Sequence, residues 1–277
     1  MHALVQPHFE SAALLTIDVQ TDTLDGAPLE IPGTSAAVPK IAALCEAFRA
    51  SELPIVHVVR IYRADGSNAE PVRKELVAGK VPILRAGTPG RVLAPGVAPD
   101  PTTQLDDELL LSGRAQRLGG REIVIYKPRW GAFFGTALDD YLVEHRVDTV
   151  VVVGCNFPNC PRTSIYEASE RDYRIVLVDD AVSGLYERGR AEMTNIGVTL
   201  SGADTVIEAQ HLRAVDGGPG EGFATGDRYL FVRLCGRAQR LNVIDVALGL
   251  QGCTDDTEHI GAGRDFDIGA YRHRRAE

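Results

Sequence analysis

Three side chains far apart in the chain follow three different apolar runs: Asp18, Lys127 and Cys160. Their chemistries are complementary. A cysteine attacks a carbonyl carbon only as the thiolate, so it needs a proton acceptor. A carboxylate within hydrogen-bond reach is such an acceptor. An ammonium beside both favours their charged forms. Taken singly, each residue has a plainer reading. Cys160 reads equally as a small buried hydrophobe, Asp18 as a turn or cap residue, and Lys127 as a solvated lysine. Three such placements at one sheet edge say more than any one of them.

The elements that must position these residues follow from periodicity. Ala12–Ile17 is a short apolar run ending at Asp18 and reads as the first buried strand. Pro54 to Val59 is the second, with His57 inside it as a satisfied structural histidine. Glu122–Tyr126 is the third and ends at Lys127. Val150 to Gly154 is an uninterrupted β-branched run, the pattern of a parallel strand apolar on both faces. A short polar loop follows, and Pro161 then opens a helix with Ile165 and Ala168 on one face. Cys160 thus falls at a helix start, where free N–H groups and the helix dipole favour a thiolate. Arg174 to Val178 is the fifth strand.

Between the strands, Thr34 to Leu53 is read as a helix capped by Thr34 or Ser35, with Cys45 in its core face. Thr136 with Asp139 resembles a capping box before Leu138, Tyr141 and Leu142. Glu187 to Asn195 is helical, and Val198 to Leu200 with Asp204 to Ile207 reads as a last short strand and its approach. Residues 60–120 are a long, mostly irregular stretch, the kind of connection that forms lids and binding loops, in which Leu105 to Leu111 reads either as a short helix or as part of a loop. Strands alternating with helices imply a three-layer α/β/α fold around a mostly parallel, Rossmann-like sheet. No GxGxxG or GxxxxGK[ST] pattern stands at a strand–helix junction, which disfavours dinucleotide and P-loop chemistry.

Composition narrows the function further. A formal charge of -9 without a basic stripe argues against a nucleic-acid partner. No run approaches the roughly 20 apolar residues of a membrane span. The N-terminus has no basic-then-apolar leader pattern. The five cysteines, 45, 155, 160, 235 and 253, lack metal-site spacing, and a reducing cytoplasm is the expected setting. Residues 213–277 fit the alternating plan poorly. Gly217 to Gly222 reads as a linker, Tyr229 to Leu234 and Val243 to Leu250 as strand or helix, and the rest as a polar tail.

Four stretches together resemble the isochorismatase-like cysteine hydrolases, which include nicotinamidases, N-carbamoylsarcosine amidohydrolases and related amidases. They are Leu15 to Gln20, Lys127 to Phe133, Gly154 to Cys160 with Thr163 and Ala168 behind it, and Val178 to Ala181. The resemblance covers roughly residues 11–209. It sets the domain plan as 11–212 for a hydrolase domain and 213–277 for a C-terminal extension of unknown role.

The resemblance implies that Cys160 is the nucleophile, Asp18 the general base and acid, and Lys127 their charged partner. It implies a cis peptide between Cys155 and Asn156, with the backbone N–H groups of Asn156 and Cys160 forming an oxyanion hole. Cys155 departs from the aliphatic residue common there, and Phe157 replaces the usual threonine. Metal-bearing members carry an Asp-x-His…His site after the second strand. Arg60 to Asn68 holds no histidine, so no metal and no cofactor are expected. Tyr62, Arg63, Trp130, Phe133 and Phe157 are candidate pocket residues, and Gln20 a candidate orienting group; the aromatics read equally as core. Arginine at the rim, from Arg60, Arg63 or Arg129, suits a small, flat or carboxylated amide. The expected activity is cysteine-dependent hydrolysis of a small-molecule amide or other C–N bond through a thioester, in a homo-oligomer. Two rivals stand beside it: vinyl ether hydrolysis, whose members typically lack the cysteine, and a non-catalytic scaffold on the same fold.

Overall fold

The computed structural model describes residues 3–215, 229–234 and 237–242. Seven strands form one sheet: β1 (Ala12–Ile17), β2 (Ile55–Val59), β3 (Gln116–Gly119), β4 (Glu122–Tyr126), β5 (Thr149–Gly154), β6 (Arg174–Val182) and β7 (Thr199–Ser201). Their order is β3-β4-β2-β1-β5-β6-β7. Every neighbouring pair is parallel except β3 with β4. The fold is the α/β three-layer arrangement that the alternation implied.

Alternate residues of the central strands feed two separate cores, as a sheet covered on both faces requires. Ala13, Leu15 and Ile17 of β1 join one, with helices α4 (Leu138–Glu144), α5 (Cys160–Ser169) and α6 (Glu187–Asn195) contributing Leu142, Ile165 and Met193. Ala12 and Leu14 join the other, with α1 (Thr34–Ala50) and α7 (Ala203–Val215) contributing Ile41, Phe48 and Val206.

The order places β1 beside β2 on one side and β5 on the other. The chain leaves β1 for β2 and β4, then returns across β1 to β5. This reversal makes a topological switch point, and ligands in such sheets bind outside the carboxyl ends of the strands there. Asp18 follows β1 and the Cys155–Cys160 loop follows β5, so both stand at that point.

Several local expectations need correction. Helix α1 is not capped by Thr34 or Ser35. Gly33 is its N-cap at φ +87°, and the Asp25 carboxylate accepts from the backbone N–H groups of Gly33 (2.9 Å) and Ser35 (2.7 Å). Thr34 donates instead to Ser183 Oγ at 3.1 Å. Thr136 and Asp139 form no capping box: Ala137 is the N-cap of α4, and Asp139 accepts from the Tyr173 hydroxyl at 2.9 Å. Asp204 to Ile207 lies within α7 and is not a strand approach. The 60–120 stretch holds the short helices α2 (Lys74–Val77) and α3 (Asp107–Leu111) and the edge strand β3. Tyr229–Leu234 is a strand that pairs with Arg237–Asn242 in a separate two-stranded sheet. The linker at Gly217 to Gly222, the Val243 to Leu250 segment and the polar tail lie outside the described residues.

Candidate active site

Asp18 is the first residue beyond β1, and its φ of +52° turns the chain out of the strand. Aspartate tolerates this left-handed region better than most residues. Its N–H still reaches β2, donating to the Val58 carbonyl at 2.9 Å. Its own carbonyl accepts from Thr23 Oγ1 (3.1 Å) and Cys155 Sγ (3.0 Å). Lys127 continues β4 in the same manner, with its N–H on the Val59 carbonyl at 3.0 Å. Cys160 is the first residue of α5, followed by Pro161.

Folding brings the three side chains into contact. Lys127 Nζ lies 2.9 Å from Asp18 Oδ2 and 3.3 Å from Cys160 Sγ. All three are nearly sealed, at 7%, 2% and 7% exposure for Asp18, Lys127 and Cys160. Asp18 Oδ1 is buried and accepts no hydrogen bond among the described residues, so one carboxylate oxygen is open to a proton. Burial opposes the Lys127 charge, but the charges of Asp18 and Cys160 outweigh it and hold its pKa above the usual value. Burial pushes the Cys160 thiol up to about 12, the negative charge of Asp18 pushes the same way, and Lys127 only partly opposes them. Burial and the Asp18 charge thus work against the thiolate that the helix start favours.

The peptide bond between Cys155 and Asn156 is cis. Phe157 N–H donates to the Ser183 carbonyl at 2.8 Å, and Asn159 Nδ2 donates to Asn156 Oδ1 at 3.1 Å, which fixes the loop. The backbone N–H groups of Asn156 and Cys160 donate to no other group among the described residues. The loop carrying Lys127 is tied to α5 from the other side: Ala132 N–H donates to Ser164 Oγ at 3.0 Å, and Phe133 N–H to Glu167 Oε2 at 2.9 Å.

A cleft with about 400 Å³ of free space, part of it open solvent, contains Asp18, Lys127, Asn156 and Cys160. Of the expected pocket residues, Tyr62 and Trp130 line it. The other four do not. Gln20 is fully buried and spends its amide on the backbone, donating to the carbonyls of Arg60 (3.0 Å) and Arg91 (2.6 Å) and accepting from Arg60 N–H (2.8 Å). Phe133 and Phe157 pack in the core with α5. Arg63 is exposed outside the cleft. Glu70 and Arg73, which the sequence did not single out, line it instead. Arg60 is buried in its wall, ion-paired with Glu70 and donating to the Lys127 carbonyl at 2.8 Å.

That ion pair lies in the stretch after β2, where the resemblance puts the ligands of metal-bearing members. The residues there do not suit a metal: the one buried carboxylate, Glu70, is matched to a guanidinium. Among the described residues, no group of three His, Cys, Asp or Glu side chains is arranged to hold a metal ion. No helix among them is long and apolar enough to cross a membrane.

The isochorismatase domain family matches residues 12–205. A maleamate amidohydrolase from Pseudomonas putida is 32% identical over 178 residues, covering 61% of this chain and 71% of that protein. A probable inactive nicotinamidase from Arabidopsis thaliana is 27% identical over 197 residues, covering 69% of this chain and 91% of that protein. The crystal structure of an isochorismatase family protein from Desulfovibrio vulgaris superposes with a TM-score of 0.60 at 33% identity, covering 73% of this chain and 98% of that one. The family match spans most of the sequence and the fold agrees with it, so the chain belongs to the isochorismatase family of hydrolases.

Proposed function

We propose that this enzyme, a hydrolase of C–N bonds other than peptide bonds, cleaves a small-molecule amide by covalent catalysis at Cys160. The observation that carries the reading is the Lys127 ammonium, 2.9 Å from Asp18 and 3.3 Å from the Cys160 sulfur. A nucleophile, a proton acceptor and a fixed charge meet in one cleft, as thiol attack on an amide requires.

The thiol proton passes to Asp18 as sulfur bonds to the amide carbon. Lys127 balances the negative charge that moves between sulfur and carboxylate. The oxyanion so formed is held by the N–H groups of Asn156 and Cys160, each donor typically worth about 3 kcal/mol. Asp18 then gives its proton to the leaving nitrogen, and the C–N bond breaks to leave a thioester. A water loses its proton to Asp18 and adds to the thioester carbon. The second tetrahedral intermediate expels the sulfur, which recovers its proton, and the carboxylic acid departs.

The relative described as inactive keeps a non-catalytic reading in view. An ammonia-release screen over small amides, ureides and carbamoyl compounds separates the two, run beside Cys160→Ala. The wild type releases ammonia from at least one class, and Cys160→Ala loses at least about 10³-fold. Full activity in Cys160→Ala would overturn the mechanism.

Three coarser expectations belong with this proposal. The catalytic unit spans residues 11–212, with 213–277 as an appendage. The protein assembles as a homo-oligomer, which light scattering on the full chain checks. It works in the cytoplasm, a setting consistent with the free thiols of Cys45, Cys155 and Cys160.

A further inference from the structure

The cleft is richer in cations than in anions, although the whole chain carries a formal charge of -9. Arg60, Arg73, Lys127 and Arg129 line it, against only Asp18 and Glu70. Both carboxylates are already matched, Asp18 to Lys127 and Glu70 to Arg60. Glu70 also accepts from the Tyr62 hydroxyl at 3.4 Å. Arg60 is thereby spent inside the wall. Arg129 is exposed, and its guanidinium turns back onto the Pro128 carbonyl at 2.6 Å.

Arg73 differs from both. It sits at the end of the short turn Pro71–Arg73 and is half-buried. Its guanidinium carbon lies 5.2 Å from the centroid of the Trp130 ring. It makes no ion pair and donates no side-chain hydrogen bond among the described residues. Stacking on an aromatic face restrains the guanidinium plane while leaving its N–H edge open to an oxyanion. A planar carboxylate is the natural partner for that edge, because two parallel N–H···O bonds can form at once.

We infer that Arg73, held against Trp130, is the specificity-determining residue of this cleft, and that the substrate is an amide that also carries a carboxylate. The inference rests on the amide-hydrolase reading. In the bound state the amide carbonyl stands at Cys160 and the carboxylate pairs with Arg73. A neutral amide of the same shape leaves that guanidinium unmatched in a partly desolvated cleft. The expected discrimination between acid and neutral isostere is about tenfold or more.

Isothermal titration of the full-length Cys160→Ala protein tests this without turnover. The probes are the monoamides of three- to five-carbon dicarboxylic acids and the matching neutral diamides. At least one monoamide binds about tenfold more tightly than its diamide. Adding Arg73→Gln removes that preference, Arg73→Lys retains part of it, and Arg63→Gln, outside the cleft, retains all of it. Thermal melts of each variant confirm folding, and Arg73→Lys serves if Arg73→Gln does not fold. Equal binding of acid and diamide, no binding of either, or a preference that survives Arg73→Gln overturns the inference. Wild-type turnover is read separately. Arg73-dependent binding without ammonia release sinks the hydrolase reading and leaves the carboxylate site standing. Ammonia release from neutral amides without preference for acids does the reverse.

Discussion

Gly154 closes β5 at φ +119°, directly across the ladder from Ile17, the last residue of β1. A Cβ at this position would sit 2.1 Å from the Ile17 carbonyl oxygen and 2.7 Å from its nitrogen. Both are main-chain atoms of a central strand, so neither can swing aside as a side chain could. Gly154→Ala must push the two strand ends apart by about an ångström before ordinary contact distances return. The backbone conformation itself costs an alanine about 1–3 kcal/mol. Overpacking a well-filled interior adds about 1–3 kcal/mol. The sum, roughly 2–6 kcal/mol, is a large part of the 5–15 kcal/mol typical of a folded domain. At about 2–4 °C per kcal/mol for a domain of this size, the melting temperature falls by roughly 5–20 °C. The residues next in sequence are Asp18 and Cys155, so the same displacement moves the proposed proton acceptor relative to the loop that carries Cys160. An ångström of misplacement costs about 10²-fold in rate. Gly26→Ala is the control: φ is +80° there, with nothing within 4 Å of the added carbon. It bears the conformational cost alone, about 1–2 kcal/mol, and leaves turnover unchanged. Calorimetric melting and ammonia release well below each midpoint are the measurements. If Gly154→Ala melts within 2 °C of Gly26→Ala and turns over equally fast, the close approach of β1 and β5 does not set the site, and this reasoning fails.

The other expectations follow from the same side chains. Lys127→Met strands the buried Asp18 charge and costs about 3–5 kcal/mol by urea unfolding, most of which Asp18→Asn restores in the double variant; strict additivity of the two changes refutes a direct pair. Because the Cys160 thiol is pushed up to about 12, its alkylation by iodoacetamide is slow at pH 7 and rises close to tenfold per pH unit toward pH 9. A fast, pH-independent reaction at neutral pH would instead reveal a preformed thiolate. Acid stability tests the buried polar network behind the sheet, where His57 lies between Thr16 Oγ1 (2.8 Å) and Glu122 Oε1 (2.7 Å). Burial lowers the His57 pKa below 6.5, so the unfolded chain binds that proton first and stability falls as pH drops from about 6.5. Glu122 is buried, which works against its charge, but hydrogen bonds from Arg49 and His57 bring its pKa down to about 2. Its contribution is whole above 4.5 and is lost toward pH 2. Urea midpoints that stay level between pH 7 and pH 3 would contradict both signs.

Asp18, Lys127 and Cys160 are legible because each follows a strand that its own residues declare, except that Cys160 is set off from β5 by a short loop. Leu14, Leu15 and Ile17, or Val150 to Val153, can only be buried, and the residue after such a run emerges at the sheet edge. The cleft walls had no comparable signal. Glu70 and Arg73 belong to a loop fixed by distant polar contacts. Asp22 Oδ2 accepts from Leu84 N–H at 2.6 Å, and Arg91 Nε pairs with Asp107 at 2.5 Å. No local period encodes such pairings. Phe133 and Phe157 read as pocket aromatics because they flank site residues, but both pack in the core, Phe133 against Tyr173 and Phe157 against Tyr186. Gln20 stands three residues beyond β1, and its amide is consumed by the backbone of Arg60 and Arg91. Strand β3 escaped notice because Gln116 to Gly119 has no apolar alternation. Helix α7 shows only over a longer window: Ala203, Val206 and Gln210 are all buried, a helical spacing that Asp204 to Ile207 alone does not display.

The helix start favours the Cys160 thiolate and burial opposes it, and magnitudes show which is larger. A helix N-terminus stabilises a nearby anion by about 0.3–1 kcal/mol, less than one pKa unit. Burial and the Asp18 charge act the other way and move the thiol from 9.0 to about 12. Position on the helix is visible in the sequence, but depth of burial is not. The consequence reaches the mechanism. A resting thiol beside a carboxylate with one unpartnered oxygen is not a preformed nucleophile. In the proposed mechanism it loses its proton only as the new C–S bond forms, with Lys127 offsetting the charge on whichever neighbour holds it. Reactivity toward small electrophiles at neutral pH should therefore be low while turnover of a fitting amide is high, and a site with both high would require a different account of how Asp18 and Cys160 share their proton.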